Sequence, residues 1–140
     1  MKCCNKVKAI RPTKRFSGLR GDELRREVER ETGCTLRGKT EEITHLVKNF
    51  EVFADPDTLE LHQEAFQEML GFIGHSFLGE RLFYVVKQPT RQTISLADYL
   101  TYNDVIYYGR PEEKFINSFK MMDLEGGGQI TLPAFLDFWQ

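Results

Sequence analysis

Apolar residues recur at helical spacing through most of the chain after Thr40. In TEEITHLVKNFEVF (40–53) they fall three or four residues apart, at Ile43, Leu46, Val47, Phe50 and Phe53. This spacing predicts a helix with one buried face, and Thr40 is its candidate N-cap. Similar patterns predict further helices over 63–74, 75–86, 96–107, 111–122 and 132–140. No stretch predicts a strand of more than a few residues, so the expected fold class is all-α.

The chain before Thr40 has a different character. Residues 22–32, DELRREVERET, predict a charged surface helix with few apolar residues, and 33–39 predict a linker. Residues 1–20 carry seven Lys and Arg and no acid, a net charge of +7. The other 120 residues hold 21 acids and 12 bases, a net charge of −9. We therefore expect a basic, flexible arm over 1–21, attached to an acidic body.

The arm suggests a membrane as an alternative to a solvated tail. Cys3 and Cys4 lie beside the basic run, and an acyl chain plus positive charge are the two signals that stable anchoring needs. An anionic membrane is thus a candidate partner of residues 1–20. Nucleic acid is disfavoured, because the arm has one aromatic residue, Phe16, and the acidic body would repel phosphate.

The composition also bears on location. No apolar run approaches the roughly 20 residues that span a bilayer, and no secretory signal pattern opens the chain. Three cysteines, two of them adjacent, make a poor disulfide framework. A cytoplasmic protein is expected, peripheral at a membrane if the arm binds lipid.

Three segments share one hydrophobic frame: NFEVFADPDTLELHQEAF (49–66), RLFYVVKQPTRQTISLADY (81–99) and SFKMMDLEGGGQITLPAF (118–135). Each has a Phe on its incoming helix and another apolar residue three positions later. An aliphatic residue follows eight positions on, and an aromatic residue five beyond that. The aliphatic residues are Leu61, Ile94 and Ile130, spaced 33 and 36 residues apart. This spacing indicates an internal helical repeat.

The frame resembles the EF-hand superfamily, in which a twelve-residue loop joins two helices and the aliphatic residue at loop position 8 pairs across a short β-bridge. TEEITHLVKNF (40–50) is similar to the helix that opens the first hand. YYGRPEEKFINSFKMMD (107–123) resembles the third hand of calcium sensors, calcineurin B-like proteins and EF-hand regulatory regions of larger enzymes. The resemblance implies paired, degenerate hands over 40–108. It also implies a third hand over 109–140, unpaired or opening a second lobe.

The ligands that the resemblance implies are largely missing from the first two loops. An EF-hand loop supplies oxygens from positions 1, 3, 5, 7 and 9 and a bidentate Glu at position 12. The first loop begins at Ala54 and has no carboxylate at positions 1, 3 or 12. The second places Lys87 and Arg91 where a divalent cation would sit, which is electrostatically costly. Its SLAD sequence (95–98) predicts a helix-capping box instead. Neither loop is expected to bind calcium.

The third loop keeps part of a ligand set. Its candidate metal ligands are Asp123, Glu125, Gln129 and Thr131, but Ala134 stands at position 12. The expected cofactor is therefore none, or calcium bound only weakly in the third hand, with a Kd of roughly 10⁻⁴–10⁻³ M at best. A phosphate cradle is disfavoured, because no Lys-Ser/Thr pair follows the glycines.

Two apolar groups are candidate partner surfaces. The first is a helical stripe that suits a core position and also a groove for a partner's amphipathic helix: Phe66, Met69, Leu70 and Ile73. The second is expected to be exposed because the third hand has no pairing partner: Phe135, Leu136, Phe138 and Trp139. Continuation into a longer protein, self-association through the third hand, and packing on the first lobe all remain open.

No catalytic residue is predicted. His45, His62 and His75 suit surface or capping positions, and Cys34 has no sequence signal for a partner histidine. We expect a non-enzymatic, largely calcium-independent protein-interaction module that binds a partner helix in an apolar groove. The alternative is a calcium-responsive regulatory N-terminal segment of a larger membrane-associated enzyme or channel.

Overall fold

A computed structural model of the chain describes residues 16–71 and 76–139. Within these residues the structure is helical, which confirms the predicted all-α class. The helices are α1 (Gly21–Thr32), α2 (Thr40–Phe53), α3 (Gln63–Met69), α4 (Phe77–Val86), α5 (Leu96–Tyr108), α6 (Pro111–Met122) and α7 (Leu132–Phe138). None of the described helices combines the length and apolar character needed to cross a bilayer. The candidate residues Cys3, Cys4 and Ile73, as well as His75, lie outside the described ranges.

Two of the differences between the predicted and observed helix ends bear on the local structure. The helix predicted over 63–74 ends at Met69, because the chain turns at Gly71 with a left-handed φ of +82°. Thr40 is the first residue of α2 rather than its N-cap, which is Lys39. Its hydroxyl is instead used between helices, since it donates to Asp22 of α1 at 3.2 Å.

A two-residue bridge joins the loops that follow α2 and α4. The Leu61 N–H donates to the Ile94 carbonyl at 2.8 Å, and the Ile94 N–H donates to the Leu61 carbonyl at 2.9 Å. This antiparallel pairing of the two aliphatic residues is the one that the EF-hand resemblance implies. Both side chains are fully buried. They belong to a core cluster made of Phe50, Leu61, Phe66, Phe83, Val86, Ile94 and Tyr99.

A second core cluster brings the N-terminal part of the described chain onto α2 and α5. It contains Phe16, Leu24, Val28, Leu36, Ile43, Val47 and Leu100. Although α1 is highly charged, its Leu24 and Val28 are completely buried. Arg25 of α1 also donates to the Leu36 carbonyl at 2.7 Å. Helix α1 and Phe16 therefore share a core with α2 and α5.

Helix α6 packs against α4 and α5, and α7 follows it. Arg37, from the linker between α1 and α2, ties this region together. Its Nε donates to Asp104 of α5 at 2.8 Å, and its Nη2 donates to Glu113 of α6 at 3.1 Å. Helix α6 thus lies against the helices that flank the second loop, α4 and α5. Ile130 forms no bridge with the described residues.

Candidate functional site: a cleft between α4, α5 and α6

A cleft of about 730 Å³ lies between α4, α5 and α6. Its apolar lining includes Tyr84, Val86, Tyr102, Val105, Phe115, Ile116 and Phe119. Several of them reach solvent: Phe115 is 67% exposed, Ile116 53% and Tyr84 45%. A concave site with exposed aromatic and aliphatic walls is the usual form of a binding site for an apolar ligand or side chain.

The charged side chains of the cleft include a buried acid, Asp98, and two lysines at its border. Asp98 is buried, and its carboxylate accepts hydrogen bonds from the Ser95 N–H at 3.1 Å and the Gln88 amide at 3.2 Å. Lys87 and Lys120 also line the cleft, and the Lys87 Nζ lies 5.5 Å from the centre of the Tyr84 ring. The acid is thus satisfied within the protein, and the lysines give the cleft a positive border.

The third loop forms one end of this cleft. Asp123 is buried, and its two carboxylate oxygens accept hydrogen bonds from the Gly126 N–H at 3.1 Å and the Gly128 N–H at 2.8 Å. Both glycines have left-handed φ values, +70° and +82°. The strongest candidate metal ligand therefore holds its own loop closed through the backbone.

The other candidate ligands of this loop point to different roles. Glu125 and Gln129 are exposed, and the Thr131 hydroxyl accepts the Ala134 N–H at 3.2 Å as the N-cap of α7. Among the residues that the structure describes, no three His, Cys, Asp or Glu side chains come together in a group that could hold a metal ion.

The first loop is also closed by a carboxylate. Asp55 Oδ1 accepts the N–H groups of Asp57 at 2.7 Å and Thr58 at 3.3 Å. These backbone hydrogen bonds hold the pKa of the Asp55 carboxyl below its ordinary value, and nearby His62 acts in the same direction. The loop turns at Leu59, which has a left-handed φ of +59° despite its side chain.

The second loop is held by side-chain contacts that involve no ion. The Ser95 hydroxyl accepts the Asp98 N–H at 3.1 Å while Asp98 accepts the Ser95 N–H, which confirms the predicted capping box. Beside the bridge, Thr93 donates to Glu60 of the first loop at 3.0 Å, and Arg91 lies 3.8 Å from the same carboxylate. The two loops are therefore linked by polar contacts as well as by backbone.

The stripe predicted as a partner groove is divided in the structure. Phe66 is a core residue that packs on Phe83, with 5.9 Å between ring centres. Met69 is half-buried against the same cluster, whereas Leu70 is exposed in the turn after α3. Sequence reasoning missed the cleft beside α6, because its walls come from three separate helices. The sequence feature that could have indicated this cleft is the set of apolar residues on α6.

The predicted C-terminal surface lies on α7 and just beyond it. Phe135, Leu136 and Trp139 are exposed, while Phe138 is half-buried with its ring centre 6.5 Å from that of Phe77. Leu132, at the start of α7, is exposed as well. The structure therefore places an apolar helix face outside the cleft.

A smaller cleft of about 460 Å³ lies between the start of α2 and the end of α5. Tyr108 and Glu42 face each other across it and share a hydrogen bond, which raises the pKa of the Tyr108 hydroxyl. His45 and Asp104 line the same cleft. Asp104 is already engaged by Arg37 at 2.8 Å.

A scan against protein-family models finds no match for this chain, and a search of curated proteins finds none either. The resemblance to EF-hands therefore rests on the repeated residues and on the geometry described above.

Proposed function

We propose that this chain is a non-enzymatic, EF-hand-derived interaction module that holds an amphipathic helix of a partner protein in the cleft between α4, α5 and α6. Two features support an EF-hand origin. The aliphatic residues at loop position 8, Leu61 and Ile94, pair across a bridge. The residues at the turn position 6 of the first and third loops, Leu59 and Gly128, both have left-handed φ values.

Each loop is held in shape by contacts within the protein, which supports a module that works largely without calcium. Asp55 and Asp123 accept backbone N–H groups that stabilise the first and third loops. In the second loop, Lys87 and Arg91 occupy ligand positions, and Arg91 lies near Glu60. Since each loop is held by protein contacts, an ion is not needed to shape it.

The observation that carries the partner proposal is the exposed apolar lining of the cleft. Phe115 and Ile116 on α6 face the same 730 Å³ space as Tyr84 on α4. Such a groove suits the apolar face of a helix. Lys87 and Lys120 at its border favour a helix whose apolar face is flanked by acidic residues.

Two synthetic amphipathic peptides test this proposal. They share one apolar face and differ in having Glu or Lys along its flank, and fluorescence anisotropy measures their binding. The Glu peptide is expected to bind more tightly, with the same affinity in calcium and in chelator. Phe115→Asp should weaken binding by at least about tenfold.

Val52→Asp is the matched control, because Val52 is also well exposed but lies on α2 outside the cleft. If both substitutions have the same effect on binding, or if neither peptide binds, the proposed groove is wrong.

We further propose a cytoplasmic setting, with the basic arm contacting an anionic membrane through charge and through Cys3 and Cys4. The charge difference between the arm and the rest of the chain supports this idea. Sedimentation with phosphatidylserine vesicles can compare the full chain with a form lacking residues 1–15. That deletion retains Phe16, which is buried in the core. If the shortened form binds vesicles as well as the full chain does, the proposed membrane contact of the arm is wrong.

A further inference from the structure

The third repeat presents a backbone edge that the first two repeats use for pairing. Leu61 and Ile94 exchange two hydrogen bonds. Ile130 holds the equivalent position, but its N–H and carbonyl form no hydrogen bond with the described residues. Its neighbours Gln129 and Thr131 are exposed. An exposed edge of this kind is a template for another strand.

The geometry of the existing bridge specifies which strand can fill this edge. In an antiparallel pair that exchanges both hydrogen bonds, a half-turn interchanges the two residues and leaves the pattern unchanged. Leu61 and Ile94 are therefore related by a local two-fold axis. Ile130 can make the same pair of bonds with Ile130 of a second copy, about a true two-fold axis.

An apolar face begins two residues after Ile130. On α7 and its C-cap, Leu132 is 69% exposed, Phe135 44%, Leu136 52% and Trp139 68%. Their exposed area is on the order of 500 Å². Together with the backbone edge and its neighbours, this approaches the roughly 800 Å² per partner of a standard specific interface. The single charged residue of α7 is Asp137.

We propose that the chain forms a two-fold symmetric homodimer through this third-loop and α7 surface. Ile130 pairs with Ile130 of the second copy, and the α7 faces bury each other. The proposal goes beyond the helix-binding function, and α7 does not line the cleft, although Gly126 and Gly128 of the third loop do.

Sedimentation equilibrium of the 140-residue chain over a range of concentrations tests the dimer. A reversible dimer is expected. Leu136→Asp and Trp139→Asp should each raise its Kd by at least about tenfold, because an unpaired charge would be buried in the interface. Val52→Asp and Phe115→Asp, at exposed sites outside this surface, should leave the Kd unchanged. This separates failure of the dimer from failure of the cleft.

Hydrogen exchange of the Ile130 amide tests the bridge itself. Its protection should rise as the dimer forms and fall in Trp139→Asp. A monomer at every concentration, or a dimer that tolerates both α7 substitutions, overturns the proposal. A dimer with a rapidly exchanging Ile130 amide overturns the pairing. Circular dichroism should show that the variants remain folded, as expected for exposed positions.

Discussion

Arg81 of α4 donates a hydrogen bond from Nε to the carbonyl oxygen of Met121, the penultimate residue of α6, at 3.0 Å. Its Nη2 also donates to the carbonyls of Lys120 at 2.7 Å and Asp123 at 3.1 Å. The last carbonyls of a helix lack intrahelical partners, and a cation is favourable at that end. One side chain thus caps α6 and fixes the start of the third loop against α4.

Replacing this cap should loosen the third repeat. Arg81→Met is expected to lower the free energy of unfolding by about 1–3 kcal/mol, because three carbonyls lose a charged donor. Arg81→Lys should recover only part of the loss, since an ammonium group lacks the planar fork of a guanidinium. Urea denaturation followed by circular dichroism measures both. Arg26→Met, at an exposed position of α1, is the control. An equal effect of Arg26→Met would contradict this role for Arg81.

Leu59 is a site of backbone strain in the first loop. Its φ of +59° is a conformation that costs a non-glycine residue about 1–2 kcal/mol. Leu59→Gly is expected to stabilise the protein by about 0.5–1 kcal/mol, because glycine adopts this conformation without strain. The gain is smaller than the strain itself, since glycine loses more conformational entropy on folding. Thermal unfolding is the measurement. Thr58→Gly should instead destabilise, since Thr58 has no positive φ to relieve. Equal destabilisation by both changes would show that Leu59 is not strained.

Glu113 should make stability depend on pH in the acidic range. The hydrogen bond from Arg37 holds the pKa of the Glu113 carboxyl below its ordinary value, with Arg110 contributing. Because the folded pKa is the lower one, the stabilisation is present above the unfolded pKa of about 4.3 and is lost as pH falls through the folded pKa.

The measurement compares the unfolding midpoints of the wild type and Glu113→Gln. The wild type should be the more stable at neutral pH, and the difference should shrink as the solution is acidified below the folded pKa. Glu112→Gln, on the same helix and exposed, should show a much smaller effect. A difference that stays constant from neutral to acidic pH would contradict the ionic origin of this contact.

The elements that sequence predicted best are those carried by dense local patterns. The spacing of Ile43, Val47 and Phe50 predicted the buried face of α2, and the EF-hand resemblance implied the Leu61–Ile94 bridge. The Ser95 cap was readable because its residues lie within one helical turn. The helix and capping patterns are short-range and need no knowledge of the rest of the fold.

Features that depend on distant packing were missed. Helix α1 joins the core through Leu24 and Val28. Two apolar residues are too few to show a helical pattern among its many charged residues. The cleft needs Tyr84 and Phe115, which lie on helices far apart in sequence. Of the predicted apolar stripe, Phe66 and Met69 lie on α3 and Leu70 lies in the turn after it, and the pattern could not separate a core face from a partner groove.

Asp123 should stabilise the third loop even when calcium is absent. Its carboxylate accepts the N–H groups of Gly126 and Gly128 in a buried position. Asp123→Ala, measured in chelator, is expected to lower the free energy of unfolding by about 1–3 kcal/mol, because two donors lose a charged acceptor. Glu125→Ala changes the other acidic candidate ligand, which is exposed, and should have little effect. Equal losses would mean that the loop geometry does not depend on Asp123.

Calcium binding to the third loop is expected to be weak, because the loop has carboxylates at only two ligand positions, Asp123 and Glu125. The ion would also find no carboxylate at the last ligand position, which Ala134 occupies. Calorimetric titration should give no stoichiometric heat at micromolar calcium, and Trp139 fluorescence should be the same in calcium and in chelator. Ala134→Glu supplies the missing bidentate ligand and should strengthen calcium binding. Glu64→Ala, a change in the first repeat, is the control and should leave calcium binding unchanged. A tight, one-to-one calcium signal in the wild type, abolished by both Asp123→Ala and Glu125→Ala, would show instead that the third loop is a working calcium site.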